Sequence, residues 1–237
     1  MQLSKLQPKY KSCLGPSSIS VAIAENTCER SLWLQNRFKA QNNDTIFLER
    51  YKLKHQAALS NLVKHLSTNF PKAIIDSEQQ LPVVNFQGIN FFAIPDLVIR
   101  HPEDNSLSVF DVKTGARKTS HFYQIALYYL MIKAIAKKKG APEPKLNSLA
   151  IVYDNGESEY DQNLYEKNIL EIKGPSAIDQ IFLEGTKERL REVLSIASQN
   201  ELPEAKASSS NCRYCKFNDL CPDASKDEAL IITNDLF

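Results

Sequence analysis

The chain has 237 residues, with 29 basic and 28 acidic side chains and a formal net charge of +1. Hydrophobic residues make up 43% of it, which is enough for a folded core and excludes a disordered chain. No apolar run reaches the roughly 18 residues of a membrane span, and the N-terminus lacks the apolar stretch of a secretion signal. We therefore expect a soluble, cytoplasmic protein with no membrane partner, and the net charge alone gives no sign of nucleic-acid binding.

Apolar residues at helical spacing predict four helices. The first follows a cap at residues 15–18 and contains Cys28. The other three cover residues 45–65, 120–138 and 176–198, and the last of them has a continuous apolar face.

Three β-rich runs separated by turn residues predict consecutive antiparallel strands between the second and third helices, and a fourth run predicts a strand after the third helix. The order of elements favours one α/β domain, which we expect to cover residues 1–223, with residues 224–237 as a tail. The four β-rich runs are Leu81–Phe86, Ile89–Ile99, Leu107–Lys113 and Leu149–Tyr153.

Two carboxylates are expected to meet across one hairpin of this sheet. The period-2 alternation of a strand puts Asp111 and Lys113 on the same face. The preceding loop is centred near Glu103 and Asp104, so Asp96 should lie opposite or diagonal to Asp111. Like charges placed so closely destabilise a strand pair unless a positive group lies between them.

A divalent cation is the natural positive group for this pair. Magnesium and manganese favour oxygen ligands, and such a metal activates water and stabilises charge on a phosphoryl oxygen. The alternative is that Asp96 begins a turn while Asp111 and Lys113 form a solvated strand edge. An Asp-x-Lys tripeptide alone does not decide between the two, because it is common.

The longer pattern is more specific. Pro95-Asp96, fourteen intervening residues and then Asp111-Val112-Lys113-Thr114-Gly115 resemble the motif of the PD-(D/E)XK nucleases, most closely its RecB-type branch. The resemblance implies a restriction-endonuclease-like core, a central mixed sheet with an antiparallel meander flanked by helices. It also implies that Asp96 and Asp111 bind the metal with the main-chain carbonyl of Val112, and that Lys113 orients or activates the attacking water.

Two helical features resemble the same family. Gln124 and Tyr128 match its Gln-x-x-x-Tyr helix, which faces the DNA backbone, and Gln124 would position the scissile strand. His55 matches a helical histidine beside the metal, with His65 as a competing candidate. Without the resemblance, Gln124 and Tyr128 would be interpreted as a packing pair and His55 as a surface residue.

Cysteines form the second group of candidate site residues. Cys212, Cys215 and Cys221 are closely spaced, and Cys28 lies far upstream. Three near thiolates and a distant fourth suit either zinc or a [4Fe–4S] cluster, and spacing alone does not choose between them. AddB-like nucleases and small CRISPR-associated exonucleases have a similar cysteine pattern, and this resemblance implies the iron–sulfur cluster, which would close the domain. Cys13 is the alternative fourth ligand.

The near-neutral net charge is the sum of a basic stretch and an acidic stretch. Residues 111–145 contain eight basic and two acidic side chains, whereas residues 146–204 contain five basic and twelve acidic ones. Arg117 and Lys118 follow the Asp-x-Lys strand and are candidates to hold backbone phosphates, although the run 137–139 is equally typical of a solvated helix end. Three aromatic side chains nearby are candidates for stacking on unpaired bases: His121, Phe122 and Tyr123.

The function expected from the sequence is a magnesium- or manganese-dependent deoxyribonuclease. The substrate would be DNA that is single-stranded or has free ends, and the enzyme would act as an exonuclease in a CRISPR adaptation or DNA repair complex with protein partners. Two alternatives remain: a catalytically silent subunit of the same fold that binds nucleic acid or protein, and a zinc-stabilised interaction module.

Overall fold

The computed structural model describes residues 6–9, 11–24, 27–39, 46–153, 169–173, 177–213 and 215–224. These residues form a mixed α/β structure in which two sheets are flanked by helices. The helices are α1 (Pro16–Ala24), α2 (Glu29–Arg37), α3 (Ile46–Asn69), α4 (Thr119–Lys138), α5 (Ala177–Ser198) and α6 (Ser209–Arg213). The strands are β1 (Cys13–Leu14), β2 (Ile74–Ser77), β3 (Val84–Phe86), β4 (Ile89–Phe91), β5 (Leu97–His101), β6 (Ser106–Lys113), β7 (Lys145–Tyr153) and β8 (Ile169–Lys173).

The larger sheet has five strands in the order β2-β5-β6-β7-β8. Strands β6 and β7 are parallel, and the other neighbours are antiparallel. A parallel pair needs a long crossover connection, which α4 provides here. The central strand β6 is buried at every position except Lys113, because helices cover both faces of the sheet around it.

The two faces of the larger sheet belong to different apolar clusters. Val109 and Ile151 point to a face that packs against residues of α1, α4 and α5. Phe110 and Val112 point to the opposite face, where α3 covers them. Alternation along β6 therefore directs successive side chains into two separate cores, and Asp111 is on the face that α4 covers.

The smaller sheet has the order β1-β4-β3. Its β3–β4 hairpin turns through Gln87 and Gly88, which both have positive φ angles, as a tight hairpin turn requires. Strand β1 joins β4 in parallel, with Cys13 opposite Asn90. This sheet therefore fixes the beginning of the chain beside α1.

The second, third and fourth predicted helices are confirmed as α3, α4 and α5, but the prediction of one helix through Cys28 is wrong. The chain forms two helices there, α1 and α2. Cys28 is the N-terminal capping residue of α2 and has extended backbone angles. The hydroxyl of Thr27 donates to the carbonyl of Val21 at 3.1 Å, a side-chain bond that competes with helical continuation.

The predicted strand over Ile89–Ile99 is also wrong, because it is two strands that belong to different sheets. Residues 92–96 between β4 and β5 are irregular, and they contain Pro95, which has no N–H to donate to a strand ladder. Leu81–Phe86 is extended in β3 only at Val84–Phe86. The edge strands β2 and β8 were not predicted, since short edge strands have weak alternation.

None of the helices in the described ranges is long and apolar enough to cross a membrane. Of the tail predicted at residues 224–237, only Ala224 is within the part of the chain that the structure describes. The division of the chain into a domain of residues 1–223 and a tail stays a prediction.

Candidate active site and cysteine cavity

The hairpin of β5 and β6 brings Asp96 and Asp111 together. In this ladder Leu97 is opposite Phe110 and Val98 is opposite Val109. The same register, continued by one residue, puts Asp96 opposite Asp111. Asp96 itself lies at a bend immediately before β5 rather than inside the strand. The alternation of side chains along β5 therefore does not fix the direction of the Asp96 side chain.

Asp96 is held from two sides. Its Oδ2 atom accepts a hydrogen bond from the main-chain N–H of Val112 at 2.6 Å and lies 3.1 Å from Nε2 of His55. The hydrogen bond to Asp96 raises the pKa of His55, while burial acts in the opposite direction. His65 is half-buried and contacts Asn69 one helical turn away, so α3 directs His55, not His65, to the carboxylates.

Asp111 is almost fully buried, with 1% of its surface exposed. Its Oδ1 atom accepts a hydrogen bond from Nε2 of Gln124 at 3.3 Å. Its Oδ2 atom lies 2.7 Å from Nζ of Lys113 but accepts no well-directed hydrogen bond from the described residues. Burial and the charge of Asp96 raise the pKa of Asp111 to about 6, against the lowering effect of Lys113.

Gln124 and Tyr128 lie one helical turn apart on α4, and both are buried. Nε2 of Gln124 donates to the Tyr128 hydroxyl at 2.8 Å as well as to Asp111. Burial raises the pKa of Tyr128, and the charge of Asp111 adds to this effect, so the hydroxyl keeps its proton. The pair thus contacts Asp111 directly, and the amide of Gln124 is directed to the carboxylate.

The donor set at this place fits a hard divalent cation. Asp111 supplies a buried carboxylate oxygen without a well-directed hydrogen bond, Asp96 supplies a second carboxylate, and the peptide of Val112 lies against it. They do not form a preformed cage, because in the described ranges no three His, Cys, Asp or Glu side chains stand close enough to hold a metal ion.

Sequence reasoning missed Tyr153, which lies beside this site. It is the neighbour of Lys113 in the parallel β6–β7 ladder. Its hydroxyl lies 3.0 Å from Nδ1 of His121, and the guanidinium of Arg117 lies 5.2 Å from the centre of its ring. No signal in the sequence fixes this register, because parallel strands are joined through a helix rather than a tight turn.

The three side chains predicted to stack on bases are only partly exposed. Phe122 and Tyr123 pack against the apolar cluster on the α4 side of the sheet, and the Tyr123 ring lies 5.4 Å from that of Phe182. His121 contacts Tyr153 instead. Of the basic stretch, Lys133 forms an ion pair with Glu143.

Four cysteines from the two ends of the chain line one cavity. Its volume for a water-sized molecule is about 20 Å³, and its lining includes Cys28, Cys212, Cys215 and Cys221. Cys13 is outside it, in β1, where its carbonyl accepts a hydrogen bond from Lys9. All five cysteines are within the described ranges, and none forms a disulfide.

Contacts of α2 hold the cavity together. The Arg30 guanidinium donates to the carbonyl of Pro203 at 2.9 Å, forms an ion pair with Asp223 and lies 3.8 Å from the sulfur of Cys221. The sulfur of Cys215 lies 3.4 Å from the hydroxyl of Ser31. Thiols are the donors that thiophilic metals prefer, but in the described part of the chain no three His, Cys, Asp or Glu side chains stand close enough to hold a metal ion.

A second group of α2 contacts closes the end of α5. The indole N–H of Trp33 donates to the carbonyl of Gln199 at 2.8 Å, and the Arg37 guanidinium donates to the carbonyls of Ala197 and Gln199. These bonds satisfy carbonyls that a helix leaves without partners at its C-terminus. Helix α2 and the C-terminal end of α5 are thus joined by direct side-chain contacts.

Comparisons with known proteins give one family. The model of the PD-(D/E)XK nuclease superfamily matches residues 16–222 of the chain. No curated protein matches it. Among solved structures, the crystal structure of SSO0001 is similar at 16% sequence identity and a TM-score of 0.45, over 91% of this chain and 88% of that one.

Proposed function

Because the chain belongs to the PD-(D/E)XK nuclease superfamily, we propose that it is a Mg²⁺- or Mn²⁺-dependent nuclease that hydrolyses phosphodiester bonds of DNA. The observation that carries this proposal is the buried Asp111 carboxylate next to Asp96. One of its oxygens has no well-directed hydrogen bond from the described residues, and burial has raised its pKa. A carboxylate in that state gains most from a nearby cation.

The ligands would be Asp96, Asp111 and the carbonyl of Val112, with His55 as a further ligand or as the partner that orients Asp96. When bound there, Mg²⁺ or Mn²⁺ supplies a Lewis acid that stabilises charge on a phosphoryl oxygen and makes water more acidic. The chain holds Asp96 in place through the N–H of Val112 and the ring of His55. The carboxylate is thereby fixed before any metal arrives.

Lys113 is the proposed catalytic cation. Its ammonium is 2.7 Å from Oδ2 of Asp111, and its side chain is 21% exposed, so it reaches both the buried carboxylate and the space outside. We assign to it the orientation of the attacking water and the stabilisation of negative charge that grows on the phosphate. Gln124 and Tyr128 act through Asp111, since the amide of Gln124 holds Oδ1 and touches the Tyr128 hydroxyl.

The proposed substrate is DNA with single-stranded or free ends, cleaved as an exonuclease does. The positive stretch of residues 111–145 begins at the site and is chemically suited to backbone phosphates. A role in CRISPR adaptation or DNA repair, together with protein partners, is part of the proposal and rests on the family resemblance of the two motifs.

We also propose that Cys28, Cys212, Cys215 and Cys221 bind a [4Fe–4S] cluster. The support is that all four line one cavity and that Cys13 does not. A cluster held by cysteines from both ends ties these segments covalently. Anaerobic purification tests this: iron and sulfide in equal amounts with brown absorption are expected, whereas a colourless protein with stoichiometric zinc would contradict the cluster.

The nuclease activity is tested with end-labelled single- and double-stranded DNA incubated with Mg²⁺, with Mn²⁺ or with EDTA. We expect cleavage with either metal, none with EDTA, and none for Asp111→Asn. The matched control is Asp104→Asn, which changes an exposed aspartate at the other end of the same hairpin. Wild-type protein that binds DNA without cutting it would instead indicate a silent subunit of this fold.

A further inference from the structure

Three side chains beside the candidate active site have no part in the chemistry described above. Arg117 lies in the loop between β6 and α4, His121 in the first turn of α4, and Tyr153 at the end of β7. We call them the Tyr153 cluster. Tyr153 is the ladder neighbour of Lys113, so the cluster adjoins the strand end that carries Asp111 and Lys113.

Tyr153 is held at its hydroxyl by His121. The hydroxyl oxygen lies 3.0 Å from Nδ1 of His121. The ring is half-buried, and its centre is 5.8 Å from that of His121. Tyr153 thus joins the end of β7 to the start of α4. This contact keeps the loop between β6 and α4 close to the sheet.

His121 contacts the Tyr153 hydroxyl as an uncharged imidazole. Burial, together with the positive charges of Lys113 and Lys118, lowers the pKa of His121 to about 4. At neutral pH the imidazole therefore carries no charge and does not attract phosphate. The positive group of the cluster is Arg117.

Arg117 is presented to solvent against the ring of Tyr153. Its guanidinium carbon lies 5.2 Å from the ring centre, within the range of a cation–π contact. In the described part of the chain no carboxylate forms an ion pair with Arg117, whereas Lys133 and Lys187, which line a groove at the other end of β6, are paired with glutamates. No carboxylate of the described residues therefore competes with an outside anion for this charge.

We propose that Arg117 binds a backbone phosphate of the DNA strand adjacent to the scissile phosphate, and that Tyr153 is the positioning residue that holds Arg117 for this contact. A planar guanidinium matches two phosphate oxygens at once, which a flexible lysine does not. Holding it against a fixed ring reduces the side-chain entropy lost on binding. The inference rests on the proposed function, because it describes how the substrate of the same centre is held.

The experiment is an equilibrium binding scan by fluorescence anisotropy, in EDTA so that hydrolysis dependent on metal does not occur. The probes are single-stranded oligonucleotides in which one phosphate at a time is replaced by an uncharged methylphosphonate. The proteins are the wild type, Arg117→Ala, Tyr153→Ala and Tyr153→Phe. Lys138→Ala is the matched control, because it removes an exposed positive charge from the far end of α4.

For the wild type, we expect one position at which the methylphosphonate weakens binding by about 10-fold, the size of one charge-assisted contact. Arg117→Ala should bind the unmodified strand about 10-fold more weakly and show no further loss at that position, and its salt slope should fall by about 0.7. Tyr153→Ala should lose most of the same positional effect, while Tyr153→Phe, which keeps the ring, should retain most of it.

A merely structural role for Tyr153 predicts a lower melting temperature without any change in the positional pattern. The inference is overturned if Arg117→Ala keeps the wild-type pattern, or if it loses no more affinity than Lys138→Ala. Both outcomes are independent of catalysis. The proposed function fails separately, when wild-type protein does not cleave DNA with Mg²⁺ or Mn²⁺.

Discussion

The carboxylate site and the cysteine cavity both contain candidate metal ligands, but the chain holds these ligands in different ways. At the carboxylate site the ligand oxygens themselves are hydrogen bonded. Asp96 accepts from the N–H of Val112 and contacts His55, and Asp111 accepts from Gln124. Five residues from strand β6, the bend before β5 and two helices therefore converge on a small set of oxygen atoms.

In the cysteine cavity the strongest contacts are made by neighbours of the ligands. Arg30 and Trp33 donate to main-chain carbonyls of residues 199–203, and Arg30 reaches Cys221 at the longer distance of 3.8 Å. These contacts join residues more than 160 positions apart in the sequence. The packing of α2 against residues 199–223 forms the cavity, and the sulfur atoms of Cys215 and Cys221 have polar contacts at 3.4 and 3.8 Å.

The difference indicates what each site would gain from the metal proposed for it. The oxygens of the carboxylate site are already held by hydrogen bonds, and the Lys113 ammonium lies 2.7 Å from Oδ2 of Asp111. A divalent metal would therefore add charge for the reaction there, and would add little order. The cysteine cavity would gain order, since a cluster would tie segments that are otherwise joined by side-chain contacts. Loss of a metal should therefore abolish chemistry at the first site and lower stability at the second.

The largest expected effect is that of Lys113→Met on cleavage. Removal of the ammonium beside Asp111 should lower the rate by a factor of about 10²–10⁴, because it removes charge stabilisation at the reacting phosphate. Single-turnover cleavage with Mg²⁺ measures it. Lys138→Met, at the far end of α4, is the control, and equal rates for the two variants would show that Lys113 has no catalytic part.

Gln124→Leu should have the next largest effect. It removes the hydrogen bond to Oδ1 of Asp111 and leaves the carboxylate without its buried donor. We expect cleavage to fall about 10-fold and the Mn²⁺ concentration for half-maximal rate to rise, as for other partners that orient metal ligands. Tyr128→Phe keeps this bond, so its loss should be smaller. A Gln124→Leu enzyme with wild-type metal dependence would contradict the positioning role.

Cys221→Ser should have a smaller effect on cleavage but a measurable one on stability. We expect loss of bound iron, a melting temperature lower by several degrees, and a cleavage rate at 25 °C within about 10-fold of wild type, since direct contacts still join the chain ends. Cys13→Ser, outside the cavity, is the control and should keep its iron. Loss of iron in both variants would remove the distinction between the two cysteines.

The smallest effect is the pH dependence of the metal-free protein. The pKa of Asp111 is raised from its ordinary value of 3.8 to about 6, so stability from its protonated form is present below about pH 4 and is lost as the pH rises through 6. The Asp111→Asn variant does not lose this stability, because asparagine does not titrate. Urea unfolding in EDTA should find the variant more stable than wild type by about 1–3 kcal/mol at pH 7, with little difference at pH 4. If wild type and Asp111→Asn were equally stable at pH 4 and at pH 7, burial of the charged Asp111 carboxylate would not destabilise the protein, which would contradict this prediction.

The sequence predicted the carboxylate pair because the two residues flank one hairpin. The loop centre near residues 103–104 fixes the register by simple counting, and the ladder has the register so derived. Choosing between His55 and His65 needed the structure, because both lie on α3 and only its packing on the sheet decides which of them reaches Asp96.

Features that depend on long connections were not predictable in the same way. Tyr153 reaches the site through the parallel β6–β7 register, which follows from the packing of α4 rather than from a turn. Cys28 was expected inside a helix but caps one, because Thr27 makes a competing side-chain bond. Pro95 divides what alternation predicts as one strand. In each case a local backbone or tertiary constraint overrides hydrophobic periodicity.

The central claim is that Asp96 and Asp111 hold a divalent metal for phosphodiester hydrolysis. The most direct measurement is Mn²⁺ binding by electron paramagnetic resonance, made on the same samples whose DNA cleavage is assayed, for wild type, Asp111→Asn and the control Asp104→Asn. The account predicts Mn²⁺ binding and cleavage for wild type and the control, and loss of both for Asp111→Asn. Wild-type Mn²⁺ binding and cleavage in Asp111→Asn would contradict it.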